Sequence, residues 1–143
     1  MEYRKQGHCV YYAKYHLVFV TKYRRHIFNP GIMAYLRQII LRVKDHYPEI
    51  DIEQIEGSLD HIHLFVSIPP KMSVSKVVNI IKSNTGKALR DKFKFLDVFY
   101  FNHQGIWSNG YFVSTAGINE LIIKRYINLQ GKEDKGQAKL EIS

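Results

Sequence analysis

The chain has 143 residues, enough for one domain with a sizeable core and too few to suggest two. A formal net charge of +8, with ten Tyr and eight Phe, points to a polyanionic partner, nucleic acid before acidic membrane. Cys9 is the single cysteine, which excludes a disulfide framework and a cysteine-built zinc site. The polar start Met1-Glu2-Tyr3-Arg4-Lys5 leads into no long apolar run, so neither a secretory leader nor a membrane span is expected, and the expected compartment is the cytoplasm.

Val10 to Thr21 is rich in β-branched and aromatic residues and reads as a strand. It runs into Lys22, Tyr23, Arg24, Arg25 and His26, where an aromatic among cations suits phosphates and an unstacked base as well as it suits a solvated turn. Asn29-Pro30 predicts a helix start, with Asn as the cap and Pro in the first turn; Ile32, Leu36, Ile39, Ile40 and Val43 follow at helical spacing until Pro48 stops the run. Ile50 to Gly57 reads as a second strand. Ser58-Leu59-Asp60 then links it so tightly to the next strand that the two must be antiparallel neighbours.

From Asp60 to Ile68 the residues alternate, so His61, His63, Phe65 and Ser67 share one face and Ile62, Leu64, Val66 and Ile68 the other. Pro69-Pro70 ends that strand. Ser73 caps a second helix with Val74, Val77, Val78 and Ile81 as its buried stripe. Among its basic residues, Lys82, Lys87 and Arg90 are candidates for phosphate contacts, as are Lys22, Tyr23, Arg24 and Arg25. Phe95 to Phe101 has no regular pattern. Asn109-Gly110, between Gly105-Ile106-Trp107-Ser108 and Tyr111-Phe112-Val113-Ser114, predicts a hairpin of two paired strands. Gly117 breaks the pattern, Asn119 can cap, and Glu120 to Gln130 reads as a helix closed by Gly131 at its C-terminal cap. No internal repeat or low-complexity tract is present.

This order predicts an α+β fold. It is a ferredoxin-like, RRM-like antiparallel sheet with two helices on one face and a C-terminal helix, spanning residues 1–131 as one domain, with 132–143 as a polar, loosely held tail. The other sheet face is expected to be open and to carry the His pair. Two imidazoles at i and i+2 on a strand suit shared coordination of one metal ion, although taken alone the spacing reads first as a plain surface pair. Tyr126 and Gln130 are four residues apart and lie on one stripe of the last helix, beside an anchoring stripe of Ile123 and Ile127. A Gln oxygen is a suitable hard ligand to complete a two-His site for Mg²⁺ or Mn²⁺. A tyrosine hydroxyl, with an ordinary pKa of about 10, needs an activated target such as a metal-bound phosphate; the competing reading of Tyr126 is core packing.

Four segments together resemble the single-tyrosine HUH transposases of the insertion-sequence 200/605 type. They are Asp60-His61-Ile62-His63-Leu64-Phe65-Val66-Ser67; Tyr15-His16-Leu17-Val18-Phe19-Val20-Thr21-Lys22-Tyr23-Arg24-Arg25; Trp107-Ser108-Asn109-Gly110-Tyr111-Phe112-Val113-Ser114-Thr115; and Lys124-Arg125-Tyr126-Ile127-Asn128-Leu129-Gln130. The resemblance covers nearly the whole chain in order. It implies a homodimeric enzyme that cuts and rejoins single-stranded DNA at insertion-sequence ends after recognising imperfect hairpins near them.

By the same resemblance His61, His63 and Gln130 are ligands of a divalent metal, Mg²⁺ or Mn²⁺, and Tyr126 is the nucleophile that leaves a 5′-phosphotyrosine and a free 3′-hydroxyl. The tyrosine helix can serve the partner's His pair, and Asp60 fits as a group orienting a ligand. Asn109 departs from the family pattern, which commonly has a basic residue there; this bears on a local DNA contact and leaves the catalytic groups untouched. Two other readings compete. One is a related HUH nuclease acting on repeated palindromes or replication origins; the other is a non-catalytic RNA- or single-strand-binding module, which needs no metal.

Overall fold

The structure is a computed structural model describing residues 3–100, 105–115 and 120–136. It opens with a small antiparallel hairpin, β1 (Arg4–Gln6) and β2 (Cys9–Tyr11). The single strand expected over Val10–Thr21 is therefore divided. Among the described residues β2 pairs with β1 alone, and after Tyr12-Ala13 a new strand, β3 (Lys14–Val20), enters the main sheet. A short 3₁₀ turn, Lys22–Arg24, leads to α1 (Pro30–His46), whose cap is as expected: Asn29 Oδ1 accepts from the Ile32 N–H at 2.9 Å.

β4 (Asp51–Gly57) and β5 (His61–Ser67) are antiparallel neighbours. α2 (Val74–Lys92) starts at Ser73, whose Oγ accepts from the Lys76 N–H at 3.1 Å. A four-residue helix, α3 (Leu96–Phe99), forms in the stretch that had no legible pattern. β6 (Phe112–Ser114) and α4 (Glu120–Asp134) complete the described chain. The main sheet runs β4-β5-β3-β6, all antiparallel, the strand order of the ferredoxin-like fold.

The segment around Asn109-Gly110 is not a hairpin. Thr21 bridges Trp107, and Val18 pairs with Phe112. Both halves thus run in one direction along the same edge of β3, bulging between them where Gly110 takes a φ of 85°. The Ser108 N–H donates to Val20 O and the Lys22 N–H to Ile106 O, both at 2.8 Å, so β3's edge groups are satisfied by this single irregular strand. α4 also departs from expectation. It continues through Gly131 to Asp134, so Gly131 is not a cap, and residues 132–134 are helical. Gly117, Asn119 and the tail from residue 137 lie outside the described residues.

The main core lies between the sheet and α1 and α2. Ile62, Leu64 and Val66 of β5 and Leu17 and Phe19 of β3 meet Leu36, Ile40, Val77, Ile81 and Leu89, all fully buried. On the opposite face Val18 and Val20 pack with Ile123 and Ile127. That face is therefore not wholly open, because α4 lies across β3. Two isoleucines at roughly 1.5–3 kcal/mol each are a modest apolar anchor for a helix of this length, so its seat depends on polar contacts as well. No helix among the described residues is long and apolar enough to cross a membrane.

Candidate active site

β5 places the His pair as its alternation predicts. His61 and His63 stand opposite Val20 and Val18 of β3, away from the main core, with ring centroids 5.1 Å apart at 67°. They open into a cleft of about 430 Å³ shared with Arg24, Glu56, Glu120, Lys124, Asn128 and the two anchoring isoleucines of α4. Asp60, buried in the link before β5, holds its Oδ1 2.7 Å from His61 Nδ1, while its Oδ2 accepts from Arg24 Nε at 3.1 Å. Burial works to raise the Asp60 carboxyl, but the hydrogen bonds to His61 and Arg24 outweigh it and hold the group below the usual carboxylate range. Engaging Nδ1 with Asp60 orients the His61 ring and leaves Nε2 as the nitrogen free of that contact. Burial, with His61 nearby, lowers the pKa of His63 and favours the neutral imidazole that binds metals.

Tyr126 and Gln130 do not join this pair. At 3.6 residues per turn α4 cannot show every stripe to one place. It turns Ile123, Ile127 and the Glu120-Lys124-Asn128 stripe toward the histidines, and Tyr126 toward β6. The Tyr126 ring packs on Phe112 at 5.9 Å. Its hydroxyl and Gln130 Oε1 converge on the bulge, where a Cβ added at Gly110 would meet them at 3.9 and 3.4 Å.

Tyr126 Oη and Gln130 Nε2 are both buried without a hydrogen-bond partner among the described residues. Burial, with Glu133 and Asp134 nearby, pushes the Tyr126 hydroxyl well above its ordinary pKa. This seating of α4 keeps the Tyr126–Gln130 pair apart from the two imidazoles on β5. The imidazoles fit a divalent metal as two of its donors, and among the described residues no third His, Cys, Asp or Glu completes a cluster around them.

The basic residues divide into several roles. Lys82 is half-buried and donates to the carbonyls of Ser108 (2.8 Å) and Gly110 (2.5 Å), pinning the bulge; burial lowers its pKa to about 8. It is a structural lysine in this state, not a free arm for phosphate. Arg24 bonds Asp60 and also Asn128, at 2.7 Å. Arg25 lies over the rings of Tyr23, Phe99 and Tyr100 at 5.2–5.5 Å, and Lys22 over Tyr23 at 5.9 Å, so Tyr23 is flanked by cations. Lys87 and Arg90, with Lys94, line a groove beside α2, Arg90 also reaching Asp97 at 3.3 Å. Sequence reasoning missed Glu56, Lys124 and Asn128 in the cleft; Glu56 pairs across from His63, a neighbour visible only once the β4–β5 register is known.

The molecule is thus a basic ferredoxin-like domain that carries paired imidazoles on the sheet face opposite its main core. The family described as "Transposase IS200 like" matches residues 9–130, and the chain belongs to that family of DNA-processing enzymes. The transposase for insertion sequence element IS200 of Salmonella typhimurium is 38% identical over 136 residues, covering 95% of this chain and 88% of that protein. The ISDra2 transposase TnpA of Deinococcus radiodurans is 23% identical, over 91% of this chain and 92% of its own length. In three dimensions the chain matches a crystal structure of a transposase from Deinococcus radiodurans R1, with a TM-score of 0.78 at 23% identity over 89% of this chain and 97% of that one. It also matches a REP-associated tyrosine transposase bound to a REP hairpin, with a TM-score of 0.53 at 18% identity over 97% and 76%.

Proposed function

We propose that this chain is a metal-dependent transposase that cleaves and rejoins single-stranded DNA at insertion-sequence ends, selecting them by imperfect hairpins nearby. The observation that carries this reading is the His61–His63 pair, its His61 ring held by Asp60 and both rings fronted by a cleft, in a chain whose last helix holds a tyrosine and a glutamine one turn apart. His61 and His63 hold Mg²⁺ or Mn²⁺ through imidazole nitrogens, and Gln130 adds its amide oxygen once α4 is seated against a His pair. When bound, such an ion neutralises and orients the scissile phosphate.

Tyr126 Oη attacks phosphorus in line with the leaving 3′ oxygen. The P–O3′ bond breaks, a P–O(Tyr) bond forms, the phenolic proton passes to solvent, and the leaving oxygen gains a proton to become a free 3′-hydroxyl. The 5′-phosphotyrosine keeps the bond energy, so a later 3′-hydroxyl can reverse the step without a nucleotide cofactor. Asp60 keeps the His61 ring oriented, and the cationic faces of the Lys22–Arg25 segment and of α2 follow the backbone phosphates.

Tyr126 and Gln130 sit beside β6, the edge strand of the sheet among the described residues, and not over β5. This favours a homodimer in which α4 of each copy completes the His pair of the other. The REP hairpin held by the structural neighbour supports hairpin DNA as the ligand here. Incubating the protein with a single-stranded hairpin oligonucleotide and Mg²⁺ or Mn²⁺ is expected to give a covalent protein–DNA adduct on a denaturing gel, abolished by chelator and absent with fully duplex DNA. Binding that needs no metal and gives no adduct would favour a non-catalytic single-strand-binding module instead.

A further inference from the structure

We infer that Arg24 is a positioning residue that ties the seat of α4 to the orientation of His61; the inference rests on the reading of the His pair as metal ligands. Two consecutive non-glycine residues, Tyr23 and Arg24, hold positive φ angles of 60° and 53°. Side chains rarely adopt that conformation, and its occurrence twice in succession calls for a compensating use. Here the use is aim. The turned backbone points the Tyr23 N–H at Asp134 Oδ2 of α4, at 2.9 Å, and that same carboxylate oxygen accepts from Ser108 Oγ at 2.5 Å. The Arg24 side chain is sent between α4 and the link before β5.

On one side of the guanidinium, Nε donates to Asp60 Oδ2 at 3.1 Å, and the other Asp60 oxygen stands 2.7 Å from His61 Nδ1. On the other side, a terminal nitrogen donates to Asn128 Oδ1 at 2.7 Å. The aliphatic stem crosses α4 at Gly131, where a Cβ would stand 2.6 Å from Arg24 Cδ and 3.0 Å from Cγ. That contact accounts for a glycine inside a helix that does not end there. α4, Arg24, Asp60 and His61 thus form one continuous chain of contacts. A planar guanidinium with several donors serves both sides at once, and a lysine head does not. Arg24 forms a wall of the His cleft and of a second hollow shared with Tyr23, Asn128 and Gly131, so a shift of α4 moves the group that fixes His61.

The test is Mn²⁺ titration of DNA-free protein by electron paramagnetic resonance, together with hydrogen exchange along α4. Arg24→Ala is expected to weaken Mn²⁺ binding by about tenfold or more, the range for losing a group that orients a metal ligand, and to speed exchange in α4. Arg24→Lys, which keeps a cation for Asp60, recovers much of the Mn²⁺ affinity but not the protection of α4. Gly131→Ala leaves Arg24, Asp60 and His61 all present and still weakens Mn²⁺ binding, because the new methyl displaces the arginine stem. If Arg24→Ala does not unfold cooperatively, Gly131→Ala and Arg24→Lys carry the test. Mn²⁺ affinity within about twofold of the parent in Gly131→Ala and Arg24→Ala, while His61→Ala abolishes binding, overturns the role of Arg24 and leaves the metal site standing. Unchanged Mn²⁺ binding in His61→Ala removes the metal reading and this inference with it.

Discussion

Tyr126→Phe is expected to lose covalent capture of DNA completely at the detection limit of a denaturing gel, and to unfold in urea at the same midpoint as the parent or a higher one. The first effect is chemical, since the substitution deletes the only oxygen proposed to form the bond to phosphorus. The second follows from the packing. The Tyr126 hydroxyl is buried with no hydrogen-bond partner among the described residues, while its ring rests on Phe112 at 5.9 Å, a contact that Phe retains. An unsatisfied buried polar group costs about 1–3 kcal/mol, so its removal relieves a cost and opens no cavity. The two readouts separate the roles available to this residue. A packing tyrosine would leave adduct formation unchanged; a nucleophile parked away from its target loses the adduct and nothing else. A persisting adduct in Tyr126→Phe would show that another group is the nucleophile.

The second large effect belongs to the His pair. His63→Ala is expected to reduce metal-dependent adduct formation by at least about a hundredfold, in line with the loss of a metal ligand from a site with few donors. Its unfolding free energy should stay within about 1 kcal/mol of the parent, because the side chain lies on the face opposite the main core. The comparison is Ile62→Ala, one residue away on the same strand and fully buried in that core. It should cost roughly 2–5 kcal/mol of stability while leaving intrinsic metal affinity intact in whatever fraction remains folded. Urea unfolding and Mn²⁺ titration of the two variants give opposite patterns if β5 divides its faces between chemistry and core. Similar stability losses in both would contradict that division.

What was legible in the sequence was local. Asn29 and Ser73 cap α1 and α2 because a short side chain three residues before an orphan N–H needs no tertiary information. The alternation of β5 follows from the pleat alone, and the strand–helix–strand–strand–helix–strand order fixes a ferredoxin-like sheet before any contact is known. What was illegible depended on partners distant in the chain. Asn109-Gly110 has the composition of a hairpin turn, yet β3 offers an unpaired edge long enough for both flanking segments, and satisfying that edge outweighs local turn chemistry.

Gly131 looks like a helix stop and is instead the place where an arginine from another element crosses. Lys82 reads as a phosphate contact by charge, and its two carbonyl partners appear only when α2 meets the bulge. Tyr126 and Gln130 do converge from one stripe of α4, and Ile123 and Ile127 do anchor the helix. The direction in which that stripe faces was not readable, because it depends on how α4 rolls on Val18 and Val20.

That direction separates the His pair from the Tyr-Gln pair within one chain, and the proposed homodimer joins them between two. The direct measurement uses a doubly tagged heterodimer of His61→Ala and Tyr126→Phe protomers, purified by both tags and incubated with hairpin DNA and Mn²⁺. Each homodimer is expected to be inactive. In the heterodimer, the Tyr126→Phe protomer keeps its histidines and receives the tyrosine helix of the His61→Ala protomer, so one intact composite site forms. Adduct should then appear at about half the parental yield, entirely on the His61→Ala protomer. A heterodimer as inactive as its parents would contradict the composite site and mean that each α4 serves the histidines of its own chain.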